Sequence, residues 1–375
     1  MTRQLAGPGW YRPRRTAVMA SFAVGAVLLS TAGLGAGASA SATPHSAHAR
    51  GKYVIALSNS FLGNTWRQTM VGIFQKTAKK AEAEGLISGY KVENTSDNDA
   101  TTQIAQIKSL ILEHVNALLI DAASPTALNP TIQEACRAGI KVIVFDSLAS
   151  APCEYNLADN FNLYGQEESR LVATCMHGTG NVIVAQGVVG SAPSEAIYHQ
   201  QLAELKKFPK VKVVSTVVGE ADNATTEQAI ASVLPSLPTV SGVITGGSSF
   251  GAVQAFQNAK RPLPCAVYDN SGTALRFWMQ QHQKSGYTAT SYRTEPGQAA
   301  AAFWEALGLL QGKHFSKNLT FPNIEVTQKN LAAWIKVTPS QAVCAWLWTQ
   351  SQFDTEITSI AHHRLFTPPV PNSAV

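Results

Sequence analysis

Short apolar runs and helix-forming segments alternate along this chain, and this order constrains the fold more than any other feature of the sequence. The run 53–57 is rich in β-forming residues, and the segment 66–84 that follows it has apolar residues at helical spacing. Continuous apolar runs of this length are typical of strands that are buried on both faces. The repeated order therefore predicts an α/β fold with parallel sheets and helices on both faces.

The alternation occurs in two successive sets. The predicted strands of the first set are 53–57, 90–94, 117–120 and 142–145, and those of the second are 181–185, 211–217, 242–245, 265–268 and 288–292. The segment 150–160 between the sets is predicted as a loop. Two similar halves leave a cleft between them, which is a natural binding site. After Pro339 the pattern weakens, and we expect a helix over 342–348 and a loose tail over 368–375.

Residues 1–49 have the order of a secretory signal. Arginines come first, an apolar stretch extends from about 17 to 34, and small residues that suit cleavage follow. The alternative is a retained membrane anchor, although Ala and Gly dilute the apolar stretch. Arg14 and Arg15 leave twin-arginine export open beside the ordinary secretory route. We therefore expect the mature chain to act outside the cytoplasm.

Charge argues against nucleic acid as a partner. The chain has 29 Lys and Arg residues against 24 Asp and Glu. Four of these arginines, Arg3, Arg12, Arg14 and Arg15, lie in the export segment, so the remainder is nearly balanced. No clustered basic stripe of the kind that nucleic acid needs is present in the sequence. No CxxC or His-rich spacing suggests a metal site, and no cofactor is predicted.

Five cysteines in an exported chain favour disulfide bonds. Cys136 and Cys153 flank the predicted strand 141–145, where a helix end and a loop can approach each other in an α/β layer. A bridge between them would contribute about 3 kcal/mol on the chain-entropy model. The alternative is two separate buried thiols. Cys175, Cys265 and Cys344 have no evident pairing.

The loop after the first strand is the best candidate for ligand contact. It carries Phe61, Asn64 and Trp66 at the carboxyl end of the strand 53–57. Ligands of parallel sheets bind at such ends. An aromatic ring beside short amides is a plausible platform for a small polar molecule.

Several stretches together resemble ABC-transporter substrate-binding proteins of the ribose-binding, type I periplasmic binding protein superfamily. They are SNSFLGNTWRQ, SLILEHVNALLIDAASPTALNPTIQEACRAGIKVIVFDS, GVITGGSSFGAVQAFQNAKRPLP and RTEPGQAAAAFWEALGLLQGK. The resemblance covers residues 52–337. It implies two Rossmann-like lobes joined by three chain crossings, near 156–160, 292–296 and 318–323.

The resemblance also implies how such a protein works. A small ligand, most simply a monosaccharide or polyol, is enclosed between the lobes, and an ABC permease in the membrane recognises the closed form. The expected N-terminal lobe is 50–157 plus about 294–320, and the C-terminal lobe is 158–293 plus about 321–340. Residues 341–375 form a C-terminal extension. The chain is expected to act as a monomer.

Applied to this sequence, the resemblance implies contacts with the ligand at the ends of several strands. Trp66 would stack on a sugar ring, and Asp146 and Asp269 would accept hydrogen bonds from hydroxyl groups. Asn160 and Asn270 lie beside these positions. The alternatives are that Trp66 begins the core face of its helix, that Asp146 caps a helix or serves the hinge, and that Asn160 merely turns the chain.

The sequence departs from the ribose-type pattern at three places. An arginine common after the strand 181–185 is absent, so Glu195, Tyr198 or His199 is expected to replace it. Ser248 follows two glycines where an Asn-Asp pair is common. Near the second crossing Thr294 replaces a common Gln, and its neighbour Arg293 would suit a carboxylate or phosphate, or would form an ion pair with Glu295 or another acid. Ribose is therefore not assumed as the ligand.

Two other functions stay open at this point. Residues 247–251 match the GxSxG nucleophile elbow, with Ser249 as nucleophile, Asp269 as the acid and His282 or His314 as the base. The same glycines also suit a tight turn at the entry to a lobe, and we predict no enzymatic activity. A ligand sensor that presents its closed lobes to a membrane receptor is the second alternative.

Overall fold

A computed structural model describes residues 52–364 and 366–371. The predicted export signal of residues 1–49 lies outside the described residues. Within the described part of the chain, no helix has both the length and the apolar character needed to cross a membrane.

Six parallel strands form the sheet of the first lobe, in the order β10-β5-β4-β3-β1-β2. Their bounds are Val54–Asn59 (β1), Gly89–Asn94 (β2), Ala117–Asp121 (β3), Lys141–Phe145 (β4), Tyr155–Asp159 (β5) and Asn318–Phe321 (β10). The predicted parallel α/β architecture is confirmed. The predicted loop over 150–160 was wrong in its second half, because β5 pairs with both β4 and β10.

Helices cover both faces of this sheet. They are α1 (Thr65–Ala83), α2 (Ala100–Leu112), α3 (Asn129–Arg137) and α9 (Gln298–Leu310). α1 and α9 pack together on one face, and α2 and α3 pack on the other. α9 is alanine-rich and buried over nearly its whole length, so it packs closely against β3 and β4.

The second lobe has a smaller parallel sheet, in the order β7-β6-β8. Its strands are β6 (Thr179–Gln186), β7 (Lys210–Val218) and β8 (Gly242–Ile244). Its helices are α4 (Phe161–Cys175), α5 (Ala192–Leu205), α6 (Asn223–Val233), α7 (Ser249–Asn258), α8 (Gly272–Ser285) and α10 (Leu331–Val337). A short antiparallel pair joins β9 (Ser291–Arg293) and β11 (Ile324–Val326).

The predicted strand 265–268 was wrong as a continuous element. Cys265 bridges to Gly242 on one side, and Val267 bridges to Thr290 on the other. Because the partner changes between these two residues, no run of successive pairs forms in the described structure. The chain still extends the sheet beyond β8 at this point.

The chain crosses between the lobes at 159–161, 293–298 and 321–324, where elements of one lobe lead directly into the other. The domain boundaries given above stay predictions. Segments that connect two lobes in this way are the positions where a hinge can bend.

The C-terminal region differs from its prediction. Residues 342–348 form no helix, and they are largely buried. The helix there is α11 (Gln350–Ala361), which begins with a capping box formed by Thr349 and Gln352. The predicted tail is described as far as Pro371 and has no helix or strand there.

Two disulfides join elements within the lobes. Cys136 and Cys153 are bonded, with Cα atoms 6.4 Å apart. Cys175 and Cys265, for which sequence reasoning found no partner, form a second bond with Cα atoms 5.9 Å apart. This bond links the end of α4 to the segment beside β8.

Candidate functional site

A cavity of about 100 Å³ lies where the carboxyl ends of the two sheets face each other. Helices from both lobes begin at its walls: α1 is capped by Asn64, α5 by Ser191, α6 by Asp222 and α8 by Ser271. Helix N-termini carry unsatisfied amides and partial positive charge, so they favour ligands with hydrogen-bond acceptors. Aromatic side chains lie among these polar groups, namely Trp66, Phe161 and Tyr164.

Arg67 is the charged centre of the first-lobe wall. Its guanidinium forms an ion pair with Asp121, lies 3.1 Å from Asn59 Oδ1 and lies 3.2 Å from Asp146 Oδ2. All of these side chains are buried. Burial lowers the pKa of Arg67, while the charge of Asp146 raises it. The arrangement holds a cation beside two carboxylates in a site of low polarity.

Asp146 follows β4 in a left-handed backbone conformation with a φ of 55°. This turn brings its carboxylate to the cavity, where Gln298 Nε2 donates to Oδ1 at 3.1 Å. Burial raises the pKa of Asp146, and the charge of Arg67 opposes that rise. Both carboxylate oxygens therefore have one protein partner and retain a lone pair for a ligand hydroxyl.

Asp269 and Asn270 form a wall on the second lobe. Asp269 accepts hydrogen bonds from the amides of Phe250 and Ser271, each at 3.0 Å, and from the Ser271 hydroxyl at 2.5 Å. Its main effect is therefore to hold this turn and the start of α7. Asn270 Nδ2 is buried with no hydrogen-bond partner among the described residues. A ligand acceptor at that atom would satisfy it.

Arg293 lines the cavity near the second crossing and is also buried. Its guanidinium lies 3.2 Å from Glu168 Oε1 and also donates to the Tyr164 hydroxyl and the Val267 carbonyl. The acid that pairs with Arg293 is thus Glu168, not Glu295. These contacts hold the arginine on the second lobe.

Four candidates from the sequence lie outside the cavity walls. The Phe61 ring lies against Gly63, Asn160 is an exposed cap that accepts from the Leu163 amide, Glu195 accepts from Gln186, and Ser248 bonds to Thr226 at 2.6 Å. Phe61 and Ser248 were selected because they follow predicted strands, Asn160 because it lies at the first crossing, and Glu195 as a replacement for the absent arginine. In the structure these side chains are directed to other partners, so the site proposed below does not include them.

The structure also adds wall residues that sequence reasoning did not select, among them Arg67, Phe161, Tyr164, Asp222 and Asn223. Arg67 did carry a signal. A cation in the first turn of a helix opposes the positive end of the helix dipole, so its presence there points to a specific partner. The other four residues lie at the starts of helices in the second lobe.

The hydrolase alternative receives no support from the geometry. The Ser249 hydroxyl is buried and accepts from the Asp269 amide at 2.6 Å. His282 contacts the Tyr287 carbonyl, and His314 is exposed. The described residues also include no cluster of three or more His, Cys, Asp or Glu side chains that could hold a metal ion.

Two buried acids face each other at the hinge. Glu295 donates its amide to Asp159 Oδ2 at 2.7 Å, and its own carboxylate accepts from Trp348 Nε1 at 2.7 Å. Burial raises the pKa of Glu295 to about 7, against the hydrogen bond from Trp348. Burial, and then the charge of Glu295, raise the pKa of Asp159 well above its ordinary range.

Glu295→Gln is expected to flatten the pH dependence of stability. Between about pH 4.5 and about pH 7, folded Glu295 holds a proton that the unfolded chain releases. Its stabilising contribution is therefore complete at low pH and is lost as the pH rises through about 7. The slope of the unfolding free energy against pH should change by up to about 1.4 kcal/mol per pH unit. Glu82→Gln, on the exposed face of α1, is the control, and wild-type slopes in both variants would contradict the assignment.

A cleft between two hinged α/β lobes defines a class of proteins that enclose small solutes. A family model described as "Periplasmic binding protein domain" matches residues 55–314. An ABC transporter solute binding protein from Thermobispora bispora DSM 43833 is 43% identical, with a TM-score of 0.82 over 85% of this chain and 99% of that chain. The chain therefore belongs to the periplasmic binding protein family, and the resemblance seen in the sequence is confirmed.

Two curated relatives are more distant. The xylitol-binding protein of Mycolicibacterium smegmatis (strain ATCC 700084 / mc(2)155) is 25% identical over 64% of this chain and 69% of its own length. The ribose import binding protein of Bacillus subtilis (strain 168) is 22% identical over 77% of this chain and 92% of its own length.

Proposed function

We propose that this protein captures a monosaccharide or a related polyol between its lobes and delivers it to an ABC import permease. The observation that carries the proposal is the cavity itself, where Trp66 lies among Arg67, Asp146 and Asn270. A sugar presents an apolar ring face for stacking and hydroxyl groups that both donate and accept. The names of the two curated relatives, for xylitol and for ribose, support the same ligand class.

The binding chemistry follows from the hydrogen-bond donors and acceptors that these groups can offer to a ligand. Asp146 supplies acceptors for hydroxyl protons, whereas Asn270 Nδ2 and Trp66 Nε1, both buried and without hydrogen-bond partners in the described part of the chain, supply donors. Closure around the ligand removes these groups from water, which strengthens each hydrogen bond. No step of this binding cycle changes a covalent bond in the ligand.

We place this activity outside the cytoplasm and assign it to a monomer. The export-signal pattern of residues 1–49 and membership of a periplasmic family support the location. The closed lobes would present their outer surface to the permease, because only the ligand-bound state brings both lobes into one fixed arrangement.

Thermal melting of the mature chain with xylitol, D-ribose, D-allose and myo-inositol tests the proposal. A ligand at a hundred times its dissociation constant adds about 2.7 kcal/mol of stability and raises the melting temperature. Trp66→Ala is expected to weaken binding by roughly tenfold or more, through loss of stacking area. Trp66→Phe retains a ring and should lose less.

Phe61→Ala is the matched control for this experiment. Phe61 lies on the loop that leads into α1, close in sequence to Trp66 but outside the cavity walls, so its removal should leave the ligand-induced shift unchanged. The absence of any shift in the wild-type protein would count against this ligand class. Equal losses in Phe61→Ala and Trp66→Ala would count against the site.

A further inference from the structure

The segment 342–348 carries the chain between the lobes once more, in addition to the hinge crossings at 159–161, 293–298 and 321–324. It follows α10, which packs on α8 of the second lobe, and it leads to α11, which packs on α9 of the first. It forms no helix, Val343 makes an antiparallel bridge to Ser271, and Val343, Cys344, Ala345, Trp346 and Trp348 are buried.

This segment pairs directly with the turn that carries Asn270. The Gly272 amide donates to the Ala342 carbonyl at 2.9 Å, and the Cys344 amide donates to the Asn270 carbonyl at 2.9 Å. On its other side, the Val343 amide donates to Thr69 Oγ1 on α1 at 3.3 Å. The segment thus joins the two walls of the cavity, and Val343 is itself one of the lining residues.

The segment also forms hydrogen bonds to a residue of the hinge. Glu295 accepts from the Trp346 amide at 3.4 Å as well as from Trp348 Nε1 at 2.7 Å. These contacts link residues 342–348 to the second crossing. Movement of this segment and bending of the hinge therefore act on the same carboxylate.

Two glycines allow the segment to approach so closely. A Cβ on Gly272 would lie 2.1 Å from the Pro339 carbonyl oxygen, and a Cβ on Gly297 would lie 1.9 Å from the Trp346 carbonyl oxygen. Gly297 has a φ of −66°, which any residue adopts, so close approach rather than backbone freedom is what requires glycine there. The position of the segment is therefore specified from both lobes.

We propose that residues 342–348 form an integral wall of the ligand site, in which Val343 selects ligand size and the Cys344 amide positions Asn270. This inference rests on the proposed solute-binding function. Asn270 is 3% exposed, and its Nδ2 has no partner in the part of the chain that the structure describes. The Cys344 amide holds the backbone carbonyl of Asn270, and it thereby positions the backbone from which this donor extends at the cavity wall.

Val343→Ala tests the wall directly, with Val337→Ala as the matched control. Both valines are 6% exposed, but Val337 lies on α10, outside the cavity walls. Dissociation constants are measured for xylitol, D-ribose and myo-inositol. Val343→Ala is expected to change the preference between the acyclic and the cyclic ligand by about tenfold or more, since it removes two methyl groups and a single missing methylene group in a pocket already has about that effect. Val337→Ala should lower stability and leave the preference unchanged.

Gly297→Ala tests the positioning of Asn270, with Gly72→Ala as its control. No atom of the described residues outside the helix's own backbone lies within 4 Å of a Cβ built on Gly72, which is exposed on α1. In Gly297→Ala we expect faster hydrogen exchange at the Cys344 and Gly272 amides, together with binding of all three ligands weakened by roughly tenfold. Gly72→Ala should change neither.

The outcomes separate this inference from the function on which it rests. An unchanged ligand preference in Val343→Ala, or wild-type affinity in Gly297→Ala despite faster exchange, would overturn the inference and leave solute binding intact. If the wild-type protein binds none of the three probes, the proposed function fails and the inference falls with it.

Discussion

Arg67→Met is expected to lower the free energy of unfolding by about 3–5 kcal/mol, because it leaves two buried carboxylates without their cation. Methionine fills a similar volume, so the loss would reflect charge rather than a void. Asp121 is fully buried and Asp146 nearly so, and both contact the guanidinium. Equilibrium unfolding in urea at pH 7 measures the effect, and sugar binding should be lost as well.

The dependence of this loss on pH identifies its cause. Without Arg67, Asp121 and Asp146 can avoid buried charge by taking up protons, which is easier in acid. The variant should therefore lose less stability near pH 4 than at pH 7. A loss that is the same at both pH values would indicate packing instead.

Arg170→Met is the matched control. Arg170 pairs with Glu167 on the surface of α4, with its side chain 48% exposed. Surface ion pairs contribute between nothing and about 1 kcal/mol. If the two substitutions have equal effects, the buried network around Arg67 is not what holds this wall of the cavity together.

Removal of the Cys175–Cys265 disulfide is expected to cost more than removal of the Cys136–Cys153 disulfide. The first bond joins residues 90 positions apart, and the second joins residues 17 apart. On the chain-entropy model these closures contribute about 4.5 and about 3 kcal/mol, because the longer loop restricts the unfolded chain more. Paired Cys→Ser variants, compared by urea unfolding, measure the difference.

Each disulfide variant is the control for the other, since both replace two sulfur atoms by hydroxyl groups. Wild-type protein treated with a reductant should lose about as much stability as the two variants together. An equal or larger loss on removal of the Cys136–Cys153 bond would show that native-state contacts, rather than loop closure, dominate.

Local patterns were sufficient to predict most elements of the fold. The helix α1 and the strands β3 and β4 have strong apolar periodicity or continuous apolar runs, and the structure places them within one or two residues of the prediction. β5 and the segment 342–348 were misassigned. β5 mixes polar with apolar residues, and 342–348 has apolar residues on every side, so in each case the pairing partner decides the conformation.

The candidate site also contains some residues that local patterns selected and the cavity includes, and others that they selected and the cavity does not include. Trp66, Asp146, Asp269 and Arg293 reach the cavity, and each lies at or just after a strand end or a helix start. Phe61, Asn160, Glu195 and Ser248 lie near such ends too, but the turns that follow direct them to other partners. Distance along the chain from a strand end is thus a weak guide to side-chain direction.

The sequence by itself determined the two α/β sets, the parallel order of their strands and the general edge at which a ligand binds, because these depend on periodicity and on connections between neighbouring elements. Only the tertiary structure decided that Arg67 pairs with Asp121 and Asp146, that Cys175 bonds to Cys265, and that Val343 lines the cavity. These contacts join residues far apart in the chain. Their geometry depends on how whole helices and sheets pack, which no local pattern specifies.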